Sequence, residues 1–317
     1  MYDVTSASVA TSKSSWLRRA VHAPRRAVHE VIRLRQRHVW NVIAHGFARP
    51  VLDRWGFRRD VRTDGINRMR IIAGLTPSLL KYRPGDVPGE LWSPRRINYL
   101  VAELHLRSYL EIGVLEGETF ANVTARRRYG VDPAPRFDAV FLPRRAKFAV
   151  MTSDAFFTSI HPWVRFDVAF IDGLHTFEQT YRDLINTLSR LRVGVIVIDD
   201  TVPSDEYSAI PNQVESFRAR DEAGLAGRPW HGDVWRVVTL LDRCHGELQW
   251  RTVVDEGNPQ TLVWRRRGAK VTPASAHEIA HAKRVTYAEA FADGIPSYFH
   301  PTSESVALAE CVQSLRR

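Results

Sequence analysis

Two short motifs hold the residues of this chain that are best suited to chemistry, Asp172-Gly-Leu-His175 and Asp199-Asp200. Each lies at the end of a stretch that predicts a buried strand, Phe166–Asp172 for the first and Gly194–Asp200 for the second. Open α/β sheets bind ligands at the carboxyl edge of their strands, so these side chains are expected to meet there. Three carboxylates at one edge repel one another unless a cation joins them. Oxygen ligands with no cysteine nearby suit Mg²⁺, with Mn²⁺ or Ca²⁺ as substitutes.

A purely structural interpretation of the same residues stays open. Asp199-Asp200 would then simply end a strand, and His175 would begin the helix predicted at Thr176–Leu191, with Thr176 and Gln179 as its capping box. Any single residue fits that interpretation, whereas the residues together favour a metal site. An imidazole with its ordinary pKa of about 6.5 accepts a proton at neutral pH, which suits His175 to the role of general base.

A glycine-spaced turn lies upstream of these motifs, within Tyr109–Thr119. The segment Arg107–Ile112 predicts a buried strand, because its apolar residues are strand formers. Gly113 and Gly117 then let the backbone turn tightly and approach a ligand. A helical pattern resumes over Glu118–Arg126, so the unit is a strand, a turn and a helix.

Strands and helices alternate through the central part of the chain, which predicts a parallel sheet with helices on both faces. The remaining predicted strands are Tyr129–Pro133 and Phe148–Asp154, each ending in an acid, and Leu248–Val254 and Thr261–Arg265, which form a hairpin. The expected fold is therefore α/β, with a Rossmann-like seven-stranded sheet that is parallel except for a terminal antiparallel hairpin.

This arrangement, Glu111-x-Gly113-x-x-x-Gly117 with an acid ending the next strand and a hairpin ending the sheet, resembles the class I S-adenosylmethionine-dependent methyltransferases over residues 93–267. The resemblance implies that Gly113 and Gly117 bring the backbone to the methionine part of the cofactor, and that Glu111 fixes the turn or the cofactor's amino group. It also implies that Asp132 accepts hydrogen bonds from both ribose hydroxyls and that Asp154 binds the adenine amino group. A turn or helix-cap role is the structural alternative for either aspartate. A dinucleotide dehydrogenase is less favoured, because it would need Gly-x-Gly-x-x-Gly at this turn.

The chain is similar, more narrowly, to the metal-dependent sugar O-methyltransferases that act on macrolide and aminocoumarin glycosides. The similarity rests on Asp172-x-x-His175, Asp199-Asp200 and the run Trp230–Trp235. It implies that Asp172, Asp199 and Asp200 hold the metal, with His175 as the general base beside Asp172. The implied reaction is Mg²⁺-dependent methyl transfer from S-adenosylmethionine to a sugar hydroxyl of a glycoside, glycolipid or polysaccharide.

The excess positive charge of the chain is confined to its N-terminal part. Residues 1–70 hold 15 Lys+Arg against 5 Asp+Glu, which accounts for the whole net charge of +10. A basic amphipathic helix is predicted within Arg25–Phe47, either packed on the body or resting, through residues 16–60, on an anionic membrane surface or a partner. The expected organisation is a basic helical segment (1–70), a linker or lid (71–92), a catalytic domain (93–267) and a helical tail (268–317) that docks or makes homo-oligomer contacts.

Several function classes are disfavoured by what the sequence lacks. No apolar run approaches the roughly 20 residues that span a bilayer, and no secretory signal is recognised, so a cytoplasmic location is expected, with or without membrane association. Cys244 and Cys311 cannot form a disulfide framework, and neither has a neighbouring ligand at metal spacing. Two alternatives remain open. One is a nucleic-acid methyltransferase, although the excess charge lies outside the predicted domain, and the other is a non-catalytic scaffold with the same fold.

Overall fold

The structure is a computed structural model, and it describes residues 91–136, 146–265 and 268–316. The predicted basic segment and nearly all of the predicted linker or lid lie outside the described residues, as does the expected membrane contact through residues 16–60. Within the described ranges, none of the helices has the length and apolar character needed to cross a membrane.

A single sheet organises the domain. Its strands are β1 (Ser108–Ile112), β2 (Arg127–Val131), β3 (Ala146–Ala149), β4 (Phe166–Ile171), β5 (Leu191–Ile198), β6 (Leu248–Val253), β7 (Gln260–Arg265) and β8 (Pro301–Thr302). The strand order is β3-β2-β1-β4-β5-β7-β6-β8, with β1 to β5 parallel and β7 antiparallel to both of its neighbours. The predicted α/β class and the terminal hairpin are confirmed. The prediction of seven strands is short by one among the described residues, because the two-residue β8 extends the edge beside β6.

Helices cover the two faces of this sheet. They are α1 (Trp92–Glu103), α2 (Glu118–Asn122), α3 (Ser153–Ser159), α4 (Phe177–Arg190), α5 (Gln213–Glu222), α6 (Arg236–Cys244), α7 (Ala276–Arg284), α8 (Tyr287–Ala290) and α9 (Glu304–Arg316), with a 3-10 turn at Ser297–Phe299. One apolar cluster includes residues of α1, α2 and α9, and the other includes residues of α3, α4 and α6.

The central strands are mostly apolar, as expected of strands whose two faces are both covered. On β4, Val168 and Phe170 belong to one cluster, whereas Ala169 and Ile171 belong to the other. All of these side chains are buried. A ligand therefore meets the sheet at the ends of its strands rather than on a face, which directs attention to the acids that follow β2, β4 and β5.

Two predicted boundaries near the site differ from the structure. Helix α2 ends at Asn122 instead of Arg126, because the chain must extend again before β2 begins at Arg127. Strand β3 ends at Ala149, so Asp154 lies in the first turn of α3 and not at the end of a strand. The cause is local: the Thr152 side chain accepts a hydrogen bond from the Ala155 amide and starts the helix there.

The C-terminal residues are an integral part of the domain. Strand β8 pairs with β6, and α9 buries Ala307, Leu308, Cys311 and Val312 in the same cluster as α1. Burial raises the pKa of the Cys311 thiol far above its ordinary value, so this thiol stays protonated. These residues of the predicted tail therefore pack on the domain, and the homo-oligomer contacts expected of the tail stay a prediction.

Gly194 allows β5 to lie against β4 where the register of the two strands shifts. A Cβ atom at Gly194 would lie 1.6 Å from the Asp167 carbonyl oxygen, so Gly194→Ala requires the backbone to move. We expect this substitution to lower the free energy of unfolding by about 2 kcal/mol or more, as overpacking does. Urea denaturation followed by circular dichroism measures the loss. Gly246→Ala is the matched control, because nothing lies within 4 Å of its added Cβ, and an equal loss in both variants would contradict the steric explanation.

Candidate functional site

Four strands end side by side at the carboxyl edge of the sheet, and their ladder continues one residue beyond them. The Gly113 amide donates to the Val131 carbonyl at 2.9 Å, and the Asp172 amide donates to the Ile112 carbonyl at 2.8 Å. The Asp199 amide likewise donates to the Ile171 carbonyl at 3.0 Å. This pairing sets the glycine turn between the acids that follow β2 and β4.

The glycine turn is joined directly to the end of β4. Gly113 has φ +82°, and a Cβ there would lie 1.8 Å from the Asp172 carbonyl oxygen. Gly117 has φ +80° and precedes α2. Both positions require glycine because larger residues rarely adopt a left-handed conformation. The side of Gly113 that lacks a Cβ faces the Asp172 backbone, so this glycine brings β1 and β4 together.

Asp132 follows β2 and holds the turn in shape. One of its carboxylate oxygens accepts hydrogen bonds from the Val114 and Leu115 amides, at 2.9 and 2.8 Å. The other accepts from the Ala134 amide at 2.7 Å. The side chain is buried, and both of its oxygens already bond backbone groups. The sequence located this acid correctly at a strand end but gave no sign that it supports the neighbouring turn.

The other two predicted cofactor residues lie in contrasting surroundings. Glu111 is fully buried and accepts a hydrogen bond from the Tyr109 hydroxyl at 2.5 Å. Burial raises the pKa of Glu111 well above its usual range, although the Tyr109 bond opposes the shift. Asp154 is exposed and lies 3.5 Å from the Arg182 guanidinium. Glu111 thus supports the strand, whereas the Asp154 carboxylate remains open to solvent.

Asp172, His175 and Asp200 form one cluster, in which one ligand atom from each residue lies within 4.8 Å of the others. His175 Nδ1 is 2.9 Å from Asp200 Oδ2, and His175 Nε2 is 3.5 Å from Asp172 Oδ1. Asp199 lies beside the cluster rather than in it, because its Oδ1 accepts from the Asp200 amide and from the Asn258 side chain. Of the three predicted metal ligands, the structure therefore brings Asp172 and Asp200 together around His175.

Burial and like charge shift the pKa values of this cluster. Burial raises the pKa of Asp172 to about 6, a shift that the Asp200 charge increases and His175 opposes. Burial likewise raises the pKa of Asp199 well above its usual range, with the charges of Asp172 and Asp200 adding to the effect. Burial opposes ionisation of Asp200 too, but His175 outweighs it and lowers that pKa. The carboxylates in turn raise the pKa of His175 to about 10 against the effect of burial, so its imidazole is protonated at neutral pH.

The run Trp230–Trp235, for which the sequence offered no chemical role, forms the wall behind His175. The Trp230 ring stacks on the His175 ring with centroids 4.5 Å apart and planes 4° from parallel. His231 Nε2 lies 3.8 Å from Asp200 Oδ1. Gly232 has φ +62°, and a Cβ there would lie 1.8 Å from the His175 carbonyl oxygen. The aromatic, histidine and glycine residues concentrated in this run were the sequence signal that could have indicated its place at the site.

Two imidazole nitrogens, one within this cluster and one beside it, are buried without a hydrogen bond. They are Nδ1 of His175, whose close approach to Asp200 is not aligned as a hydrogen bond, and Nδ1 of His231. Buried polar atoms nearly always have a partner in folded proteins. Two such atoms beside three carboxylates fit a site that binds a further polar group or a cation.

Helix α4 receives its cap from a distant residue. The predicted capping box of Thr176 and Gln179 is wrong, because the Thr176 side chain makes no cap hydrogen bond. Asp233 Oδ1 instead accepts from the Phe177 amide at 2.7 Å, while the Gln179 side chain turns to Ser153 and Asp183. The tertiary contact replaces the local motif and ties the helix that follows His175 to the Trp230–Trp235 run.

A family model described as a methyltransferase domain matches residues 110–201, a span that contains every predicted site residue from Glu111 to Asp200. No curated protein matches the chain. Similar solved structures include cofactor-bound Rv0187 from MTB, at 16% identity and TM-score 0.42, covering 64% of this chain and 89% of that chain. Another is the O-methyltransferase TomG from Streptomyces achromogenes, involved in tomaymycin synthesis and solved with SAM, at 15% identity and TM-score 0.40, covering 64% and 97%. A third is an O-methyltransferase from Bacillus cereus in complex with SAH, at 16% identity and TM-score 0.38, covering 68% and 94%.

The cap of α4 can be tested by substitution. Asp233→Ala removes the acceptor of the Phe177 amide, and we expect it to lower the free energy of unfolding by about 1–2 kcal/mol, as the loss of an N-cap does. Thr176→Ala is the matched control and is expected to be nearly neutral, because the Thr176 side chain makes no cap bond. Urea denaturation of both variants measures the difference. A larger loss for Thr176→Ala would restore the capping box predicted from the sequence.

Proposed function

We propose that this chain, a class I S-adenosylmethionine-dependent methyltransferase, transfers a methyl group to a sugar hydroxyl with the help of Mg²⁺ or Mn²⁺ bound at its acidic cluster. The observation that carries the proposal is the meeting of Asp172, His175 and Asp200 at the carboxyl edge of β4 and β5. Gly113, which begins the cofactor turn, contacts the backbone of Asp172. Cofactor turn and acidic cluster thus share one edge of the sheet, as a transfer between two bound molecules requires.

The cofactor would lie along the turn from Gly113 to Gly117, which Asp132 holds in place. S-adenosylmethionine supplies a methyl group on a positively charged sulfur. Two apolar side chains on this edge, Leu115 and Val150, are 46% and 49% exposed. Their exposed apolar surface suits a flat adenine ring, and the open carboxylate of Asp154, in the first turn of α3, suits the amino group of that ring. These residues would bind and orient the cofactor without taking part in the reaction.

The acidic cluster has the donor set of a site for a hard divalent cation. Asp172 and Asp200 would be its ligands, with Asp199 as the third carboxylate of the set. Oxygen donors with no thiolate fit Mg²⁺ and Mn²⁺ better than softer metals. A cation bound there would orient two neighbouring hydroxyl oxygens of the acceptor and lower the pKa of the attacking one.

His175 would take the proton from the acceptor hydroxyl. Its pKa of about 10 means that it can act as a base only when positive charge offsets the neighbouring carboxylates. Its action would therefore depend on an occupied cation site. Stacking on Trp230 and the close backbone contact with Gly232 hold the ring in one orientation.

A sugar carrying neighbouring hydroxyls is the acceptor class that we infer. Its two adjacent oxygens match the demand of a chelating cation, and a neutral hydroxyl needs the deprotonation that the cluster would supply. The combined motifs Asp172-x-x-His175, Asp199-Asp200 and Trp230–Trp235 support the same class through their similarity to sugar O-methyltransferases. The glycoside, glycolipid or polysaccharide that carries the sugar would be selected by surfaces outside this cluster.

Transfer of a radiolabelled methyl group from S-adenosylmethionine to a panel of methyl glycosides tests this function. We expect labelling of a glycoside with vicinal hydroxyls and loss of labelling for its monodeoxy analogue. Chelator should abolish the reaction and added Mg²⁺ should restore it. His175→Ala should lower turnover by at least about 100-fold, as removal of a general base does, while calorimetry finds unchanged binding of S-adenosylhomocysteine. Full activity in chelator would refute the metal role.

The affinity for Mn²⁺ should depend on pH, because a protonated Asp172 cannot bind a cation. Burial raises the pKa of Asp172 to about 6, so protons compete with the metal as pH falls through that value. We expect an affinity loss of about tenfold between about pH 7.5 and pH 5, because Asp172 is largely ionised at the higher pH and largely protonated at the lower one. An ordinary aspartate, with pKa about 3.9, would leave the affinity nearly flat over this range. Calorimetric titration with Mn²⁺ at the two pH values distinguishes the outcomes.

A further inference from the structure

We infer that Arg96, in α1, is a positioning residue for the acidic cluster and that it acts through Asn258 in the turn between β6 and β7. The inference rests on the proposed function, because it assigns a support to the cation site proposed there. Arg96 itself contacts none of Asp172, His175 or Asp200. Its role would be to fix the turn that carries the Asn258 side chain.

Arg96 is fully buried and donates hydrogen bonds to four groups. Two of them are backbone carbonyls of the turn, those of Glu256 and of Asn258, the latter at 3.0 Å, and a third is Oε1 of Gln260, the first residue of β7, at 2.7 Å. The fourth is Glu304 Oε2 at 2.7 Å, which supplies the opposite charge. The planar guanidinium is always charged and holds its donors in a fixed fork, so it sets the relative positions of these acceptors.

The beginning of α1 also holds the turn from two other sides. The Gln260 side chain donates to Ser93 Oγ at 2.6 Å. Gly257 has φ +60°, and a Cβ there would lie 2.0 Å from the Trp92 ring. The turn thus packs closely against α1, and the Arg96 side chain donates hydrogen bonds to two backbone carbonyls of the turn.

Asn258 is the point at which this turn reaches the acidic cluster. Its Nδ2 donates to Asp199 Oδ1 at 2.5 Å and to Asp200 Oδ1 at 2.7 Å. Carboxylates on adjacent residues repel each other, and one amide that bonds both offsets part of that repulsion. Asp200 also has φ +56°, which is uncommon for a residue other than glycine and needs support from its surroundings. The bond from Asn258 leaves Asp200 Oδ2 directed toward His175.

The neighbouring residue Arg95 offers a matched control. It bonds Glu304 at 2.8 and 3.1 Å and Glu256 Oε2 at 3.2 Å, so it pairs with side chains of the same two glutamates. It makes no hydrogen bond to the backbone of the turn. Loss of Arg95 therefore removes a positive charge beside Glu304, from a more exposed side chain than that of Arg96, without freeing Asn258.

Calorimetric titration of the full chain with Mn²⁺ tests the inference, with S-adenosylhomocysteine titrated in parallel to report on the fold. The variants are Arg96→Met, Asn258→Ala, the double variant and Arg95→Met. We expect Arg96→Met and Asn258→Ala each to weaken Mn²⁺ binding by about tenfold or more, the usual effect of removing a residue that orients a metal ligand. Binding of S-adenosylhomocysteine should stay unchanged, and Arg95→Met should bind Mn²⁺ as the unmodified chain does.

The double variant separates positioning from a general loss of structure. If Arg96 acts through Asn258, the double variant should bind Mn²⁺ no more weakly than Asn258→Ala alone. Additive losses, or unchanged Mn²⁺ binding in Arg96→Met, would overturn the inference. Should Arg96→Met fail to bind S-adenosylhomocysteine, Arg96→Lys replaces it, because lysine keeps the charge beside Glu304 but lacks the forked donors. In that case an Arg96→Lys, Asn258→Ala double variant that binds Mn²⁺ no more weakly than Asn258→Ala alone supports the inference. Additive losses of Mn²⁺ affinity reject it. An unmodified chain that does not bind Mn²⁺ would instead refute the proposed cation site.

Discussion

The repulsion among three carboxylates gathered at one edge of a sheet, one of them buried and two partly buried, is the constraint on which the rest of this site depends. Asp172, Asp199 and Asp200 are drawn together because parallel strands end side by side, and burial weakens the solvation that would separate their charges. Compensation comes from the protonated His175, which lies between Asp172 and Asp200, and from the Asn258 amide, which bonds both Asp199 and Asp200. A site that already concentrates negative charge in this way is poised to bind a cation.

Close backbone contacts fix the positions of Asp172 and His175. Gly113 and Gly232 bring backbone against backbone at Asp172 and His175, where even a methyl group would not fit. Asp233 then anchors the helix that begins just after His175. The side chains of the proposed cation site therefore lie at the ends of strands and beside a helix that contact each other closely, which favours a preformed geometry over one assembled on binding.

Much of this arrangement could be predicted from local sequence. Apolar runs identified the strands, and the acids at the ends of β2, β4 and β5 indicated which edge would carry chemistry. Three features could not be found in this way: the bond from Asn258 to the acids, the stacking of Trp230 on His175 and the use of Asp132 to hold the glycine turn. Each of these features joins residues that are far apart in the chain or depends on the direction of a side chain. Such features leave no periodic pattern in the sequence. The capping box at Thr176 shows the converse, because a valid local pattern was displaced by a tertiary bond from Asp233.

Arg96 pairs with Glu304, which lies late in the chain, so the acidic cluster depends on a residue that is synthesised after its own carboxylates. The ribosome makes the acids of β4 and β5 first, the turn that carries Asn258 later, and the first residue of α9 only after that. A nascent chain that ends within β7 holds every carboxylate of the cluster, yet Arg96 has no Glu304 to neutralise it inside the core. Closing contacts between such distant parts of a chain is slow. The acidic cluster is therefore expected to be among the last parts of the domain to acquire its final geometry.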